Sequence, residues 1–469
     1  MKNNKKIVLI IARGEAVRNF LYSDLINILH KSDFELTLLS VIDDVEFISR
    51  YRSQFNEIIP IEPIKEKNFI LTLRNVLLFA HYRWIWTEKV KNKWEILDSE
   101  QKTILKKVKH LCWKGLIILF ANRFALDMLA EIENQLTYKF RPTKEYEAIF
   151  KRIKPELVFN TSHIHAPLGE LPVRIAQKLG IMTATFVFSW DNLTSRGRIL
   201  PQYDHVFVWN LQMKDEFIRY YPAFDKNNIH ITGTPQFDFH FNNAFQLTKE
   251  ELSHQIGLDP KRDFILYTTG MASDFPEEMG HLREVISVIK SVERNKRPQL
   301  VVRMYIKGTS NEMVEMSKKN DPDVIFPKIL WEEKWFTPSF EDLFIYTGLI
   351  EHCLFGINPA STVSLELLLK DKQVINLGFD PPGSNLTKGY HWIRHIRFDH
   401  YQKIVQTGLL TVAYSSEELK EYILKFLEEK DRKSLPANDF FTRNYIFHRD
   451  GQSGARLASK MAEILNENR

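Results

Sequence analysis

The chain has 469 residues, 44% of them apolar, 26% charged and 12% aromatic, which is a globular composition and excludes a disordered or fibrous protein. Its length accommodates roughly two to four domains, and the net charge of +5 is too small for this size to name a partner. The two cysteines, Cys112 and Cys353, exclude a disulfide framework or a thiolate zinc site, so a reducing, cytoplasmic setting is expected.

In chain order, residues 6–12 form a β-branched run that predicts a strand ending at Arg13-Gly14. It is the apolar run nearest the amino terminus and is too short for a signal peptide. Residues 20–29 have helical spacing and 35–41 read as a strand. Between Pro63 and Pro142 there is no proline and Gly115 is the only glycine, which predicts helices throughout. Residues 65–152 carry 18 Lys/Arg against 10 Asp/Glu and four of the nine tryptophans, so this segment reads as a basic, aromatic helical insertion. Two readings of it stand side by side: helices packed on the body with solvated lysines, or a surface resting on an anionic membrane. Nucleic acid is not expected, because aliphatic runs accompany the basic residues and no binding motif is present. No stretch reaches about 18 uninterrupted apolar residues, so no membrane span is expected.

Beyond the insertion, strands at 156–160, 182–188, 205–209 and 229–232 alternate with helices at 168–179 and 213–221. After a polar link at 245–254 the series restarts: strands at 264–268, 300–304, 354–357 and 373–377, helices at 279–293, 363–369 and 416–429. The pattern predicts an α/β protein with two doubly wound, Rossmann-like domains, and ligands in such sheets sit beyond the carboxyl ends of strands. The expected boundaries are 1–244 for the first domain, 245–450 for the second, and 451–469 for a helix packing back near the hinge.

The segment Gly356-Ile-Asn-Pro-Ala-Ser-Thr-Val-Ser-Leu-Glu366 leaves a strand and starts a helix at Ser361 or Thr362. Free N–H groups and hydroxyls there suit a phosphate, and Glu366, one turn on, suits ribose or sugar hydroxyls; the alternative is an ordinary capped helix. Ser189-Trp-Asp-Asn-Leu-Thr-Ser-Arg-Gly197 follows a strand. In it Asp191 is a candidate base, Trp190 a candidate stacking platform, and Asn192 and Arg196 candidate substrate contacts; the alternative is a plain Asp-Asn turn. His163 and His165, just past another strand, are alternative bases. They lack the Cys or acidic partners of a metal site, so no metal is assigned. Asp321-Pro-Asp323 reads as a turn, and the tract 391–400 clusters cations near the donor side, either closing over a phosphate or forming an ordinary basic loop.

Asn358–Glu366 followed by Asp371–Asn376 resembles the donor-binding element of GT-B-fold glycosyltransferases of the bacterial surface-polysaccharide type, related to CDP-glycerol glycerophosphotransferases. Residues 206–221 with Ile231–Asp238 resemble the segment closing the first domain of that group. Asp450–Arg456 resembles its carboxyl-terminal signature, and Arg18-Asn19-Phe20 its opening acceptor loop. The resemblance implies GT-B architecture and a transferase moving a sugar from a nucleotide-sugar co-substrate to a glycan or lipid-linked acceptor, without a metal or other cofactor. In it Ser361, Thr362, Asn358, Arg303, Lys307 and Gly270 would surround the donor, Glu366 would hold ribose, and Arg18 would face the acceptor. Relatives often follow the arginine with a His-Pro pair; here Met304-Tyr305 stands instead, which counts against the alternative of a CDP-glycerol or ribitol-type polyol-phosphate transferase. A nucleotide-sugar epimerase and a non-catalytic scaffold on the same fold are the other readings.

Overall fold

Residues 7–11 are wholly buried, with no inside–outside alternation, which is the signature of a parallel strand covered by helices on both faces. The computed structural model describes residues 5–62, 64–165, 168–308, 310–429 and 439–467. The first sheet contains β1 (Lys6–Ile11), β2 (Glu35–Ser40), β3 (Glu57–Pro60), β4 (Leu157–Asn160), β5 (Met182–Phe186), β6 (His205–Val208) and β7 (Ile229–Ile231). All are parallel, in the order β3-β2-β1-β4-β5-β6-β7. β1 pairs Ile7 with Leu36 on one side and Leu157 on the other, so the order reverses at the β1/β4 seam. The flanking helices are α1 (Leu25–Lys31) and α2 (Val45–Tyr51), then α3 (Asn68–Ile85), α4 (Glu88–Ser99), α5 (Ile104–Phe120), α6 (Arg123–Phe140) and α7 (Lys144–Ile153) between β3 and β4. α8 (Glu170–Lys178), α9 (Asn192–Ser195) and α10 (Leu211–Tyr220) complete this half.

The second sheet is also parallel, in the order β10-β9-β8-β13-β14-β15, formed by β8 (Phe264–Thr268), β9 (Gln299–Arg303), β10 (Val324–Ile325), β13 (Phe355–Asn358), β14 (Gln373–Leu377) and β15 (Thr411–Ala413). β11 (Trp331–Glu332) and β12 (Thr337–Pro338) make a separate antiparallel ribbon. Helices here are α11 (Lys249–Ile256), α12 (Met279–Ser291), α13 (Asn311–Ser317), α14 (Phe340–His352), α15 (Thr362–Leu369), α16 (Ile393–Arg397), α17 (Asp399–Val405), α18 (Ser416–Glu428) and α19 (Asp439–Phe441). The last, α20 (Ser453–Glu467), crosses back to the first half. Asp238 accepts from the Ser453 and Gly454 N–H groups at 3.0 and 2.8 Å, satisfying the start of α20, whose body packs on α1.

One reading is corrected in detail. The helix expected over 20–29 splits into a π turn, Val17–Leu21, and α1, because Ser23 Oγ donates to the Phe20 carbonyl and stops the first segment. Asp321-Pro-Asp323 is a turn, as read, with the Asp323 N–H donating to Asp321 Oδ1 at 2.9 Å, and Asp323 also receives Arg262 and Arg297 at 2.6 and 2.9 Å.

The helices between β3 and β4 are fastened to α8 by charge. Arg74 of α3 meets Glu66, Glu133 and Glu170; Arg141 meets Glu66 and Glu170; Arg174 of α8 meets Glu133. Glu133 is fully buried between Arg74 and Arg174. Removing one member of a buried pair leaves the other charge uncompensated and costs about 3–5 kcal/mol. Glu133→Ala should therefore lower the urea midpoint strongly. An unchanged midpoint would show that the cluster does not hold these helices down.

Candidate functional site

The carboxyl ends of the two sheets face each other, and the space between them is a cleft of about 410 Å³. From the first half it is lined by Arg13, Glu15 and Arg18 after β1 and by residues 188–192 and Arg196 after β5. From the second half come Thr268–Gly270 after β8, Arg303 at the end of β9, and Ala360–Val363 with Glu366 after β13. Gly14, beside Arg13, donates its N–H to the Trp335 carbonyl at 3.0 Å. A Cβ at Gly14 would collide with Thr337 and that carbonyl, so glycine permits this approach of the two halves.

One hydrogen bond ties the two predicted segments together: Trp190 Nε1 donates to Thr362 Oγ1 at 3.1 Å. Trp190 is only 3% exposed and packs edge-on against His400 and Tyr445 and tilted against Tyr401. The stacking role is thereby corrected: the indole is a wedge between the domains, with no free face for a sugar. Ser361 and Thr362 stay partly open to the cleft. The Ser361 side chain makes no capping bond to α15 and turns instead to Asn358 Oδ1 at 3.2 Å, so the first N–H groups of α15 face the cleft without a side-chain cap.

Asn358 itself is fully buried and is not among the residues lining the cleft, which corrects its assignment as a donor contact. Its Oδ1 accepts from Ser364 at 2.8 Å and Asn376 at 3.0 Å, and Tyr401 donates to Ser364 and Asn376 below it. This polar network sets where α15 begins. Glu366 lines the cleft but is also buried; Gln236 and His240 of the first half hold its two oxygens at 2.8 and 2.7 Å. Burial opposes its ionisation, yet the bonds from His240 and Gln236 win and its carboxyl lies below the usual range. Each carboxylate oxygen accepts more than one bond, so capacity for a hydroxyl remains.

Asp191 lies on the cleft wall at the start of α9. Burial alone would raise its pKa, but the Lys89 ammonium at 3.3 Å and the Arg196 charge outweigh it and hold the carboxyl well below its ordinary value. Ser195 Oγ also donates to it at 2.8 Å. Asn192 is turned inward, its side chain closing the loop on the Ser189 N–H at 2.9 Å. Arg196 is exposed and lines the cleft. Arg18 lines it too, with Nε donating to Asn19 Oδ1 at 3.1 Å. Arg303 lies over the Tyr346 ring and pairs with Asp342 at 2.7 Å.

Lys307 and His163 lie off the cleft wall. Lys307 is turned onto Glu15 at 2.7 Å, and burial beside Arg13 and Arg196 pulls its pKa down to about 8. His163 is buried with Nδ1 3.3 Å from the Phe186 carbonyl; burial lowers its pKa to about 4, and it is not a cleft-lining residue, which corrects its role as base. His165 ends the short turn His163–His165, and its side chain lies outside the described residues. Among the described residues no group of three or more His, Cys, Asp or Glu is arranged to hold a metal. Glu170, which follows the histidines, belongs to the ionic cluster on Arg74.

Sequence reasoning missed Lys89, Glu15 and the buried His400, whose pKa burial lowers to about 4. Lys89 carries no local signal, because only the fold brings α4 to Asp191. His400 lies in the basic tract 391–400, where position beside Trp190 was not legible.

Gly270 is on the wall, with a Cβ excluded by the Phe275 ring. Its N–H points at both oxygens of Glu278, at 3.2 and 3.1 Å, and burial pushes Glu278 up to about 8. A carboxyl whose folded pKa is raised contributes stability that is complete below its unfolded value and is lost as pH rises through the folded value. Folding stability should fall between about pH 5 and 8 for this reason. Glu278→Gln should flatten that fall in denaturant titrations at a series of pH values, and an identical slope in the variant would refute the assignment.

No protein-family model matches the chain, and no curated protein matches it. Solved structures do. The UDP-GlcNAc 2-epimerase from Methanocaldococcus jannaschii is 12% identical, with 98% of this chain and 99% of that chain covered at a TM-score of 0.54. The UDP-GlcNAc 2-epimerase from Neisseria meningitidis, solved bound to UDP-GlcNAc, is 9% identical over 98% and 100%, with a TM-score of 0.53. MnaA from S. aureus, solved with UDP, is 11% identical over 98% and 97%, with a TM-score of 0.51. At these identities the likeness is one of fold. The architecture is GT-B: two Rossmann-like domains with a cleft between them.

Proposed function

We propose that the chain is a nucleotide-sugar-dependent glycosyltransferase acting in cell-surface glycan assembly, with its donor on the second domain and a glycan or lipid-linked acceptor on the first. The observation that carries this reading is the apposition of the α15 start with the Trp190–Asp191 loop across the cleft, joined by the Trp190–Thr362 bond. The uncapped N–H groups of α15, with Ser361 and Thr362, seat the donor diphosphate. Arg18 and Arg303 add positive charge, so departure of the nucleotide is stabilised by side chains and helix dipole. Glu366, at the inner end, faces ribose hydroxyls. Asp191, kept ionised by Lys89, accepts the acceptor hydroxyl's proton late, once the breaking donor bond has made that hydroxyl acidic. Arg196 and Arg18 border the acceptor side.

The likeness to epimerases along the full chain favours a second reading, isomerisation of a nucleotide-sugar without an acceptor. Transfer is the first reading because the first domain brings a carboxylate, Asp191, and two arginines, Arg18 and Arg196, to the cleft wall opposite the α15 start.

A thermal-shift screen against UDP-, GDP-, CDP- and CMP-linked compounds separates these readings. A nucleotide-sugar should stabilise the chain, and Ser361→Ala and Glu366→Gln should each weaken its binding about tenfold, the loss of one hydrogen bond to a charged group. Asp191→Asn should lower kcat at least 100-fold while sparing donor Kd. Formation of an epimer without acceptor, followed by NMR, would establish isomerisation instead. A shift with CDP-glycerol alone would mean polyol-phosphate transfer, and no shift with any nucleotide would leave a scaffold.

A further inference from the structure

α5 rests on the protein through a narrow stripe, His110, Trp113, Ile117 and Phe120, spaced three or four residues apart. Trp113 packs on Phe79 and Trp94 at 4.5 and 5.5 Å, and His110 and Lys114 both bind Asp98 at 2.7 Å. At 3.6 residues per turn, Ile104, Val108, Leu111 and Leu119 project from the opposite side. Ile104, Leu111 and Leu119 are 82%, 70% and 71% exposed, and Phe124 at the start of α6 extends the ridge at 79%. Exposed Lys107 and Lys109 flank the ridge on its two sides, and α5 contains no acidic residue. A single exposed leucine is ordinary, but a continuous apolar ridge on the outer face of a docked helix marks a surface with a partner.

We infer that this ridge lies in the headgroup layer of an anionic bilayer, with α5 in the membrane plane. Charge selects this occupant. A second copy of the chain docked ridge to ridge would bring two sets of lysines together, whereas lipid phosphates complement them. Among the described residues no helix is long and apolar enough to cross a membrane, which fits contact from one side. The surface is separate from the cleft, so its failure would leave the donor reading untouched.

The test is co-sedimentation of the full chain with phosphatidylcholine vesicles, with and without phosphatidylglycerol. Binding should require phosphatidylglycerol and weaken about tenfold between roughly 0.1 and 0.5 M salt. The triple variant Ile104→Glu, Leu111→Glu, Leu119→Glu should lose about 100-fold in partitioning while keeping the parent's thermal midpoint. Cys112 is exposed on the outer side of α5 and Cys353 is buried, so an environment-sensitive dye on Cys112 should shift to the blue with phosphatidylglycerol vesicles. No vesicle binding by the parent chain, or equal binding by the triple variant, overturns the inference. Dimerisation abolished by the same substitutions, with no vesicle binding, overturns it in favour of self-association.

Discussion

Polar contacts join the two halves of this protein all around the cleft, and a buried set of them centres on Glu366. Glu366 is nearly buried at the cleft wall, and Gln236 and His240 arrive from the other domain with the hydrogen bonds that stabilise its carboxylate. The segment that brings them, Pro235–His240, is the one that also caps α20 through Asp238. Domain apposition, the return of the carboxyl-terminal helix and the position of α15 therefore share one short stretch of chain. A hinge motion large enough to open the cleft would have to strand Glu366 or carry this stretch along with α15.

Polar packing beneath α15 has the same logic. Asn358 Oδ1 is shared by Ser361, Ser364 and Asn376, so the residue most suggestive of ligand contact in the motif instead determines where the helix starts. Its effect on a ligand is indirect: it fixes the direction in which the free N–H groups point.

Strands were legible because those flanked by helices on both faces are short apolar runs, and 264–268 and 373–377 match β8 and β14 at both ends. Sequence could place Ser361, Thr362, Asp191, Arg18 and Arg303 near strand ends, since that follows from topology alone. Burial could not be placed in the same way. Trp190, Asn358 and His163 carry polar atoms and follow strands, as true contacts do, yet each points into packed neighbours. Lys307 was legible as a nearby cation, but not its claim by Glu15, because the two are 292 residues apart.

The helical segment at 65–152 is more than a surface attachment. α4 lies between the outer helix and the cleft. Its Asp98 end binds α5, while its amino-terminal turn places Lys89 on Asp191 and joins the second domain through the Glu88 N–H to Asp399 at 2.6 Å and Asn92 to the Gly389 carbonyl at 2.9 Å. Lys93, one turn beyond Lys89, is buried enough that its pKa falls to about 7, and it holds the Ser195 carbonyl at 3.0 Å and Tyr82 at 2.7 Å. Ser195 in turn donates to Asp191. A force or a partner acting on α5 is thus two contacts from the carboxylate in the cleft, along a rigid helix rather than through a loop. Lysine suits the first of those contacts: a flexible stem carries a compact charge to the carboxylate while the helix stays packed. The charge bias of the segment thereby has two separable parts. Lys106, Lys107 and Lys109 of α5 face solvent while Lys114 is held on Asp98, and Lys89 on the inner face of α4 keeps Asp191 ionised.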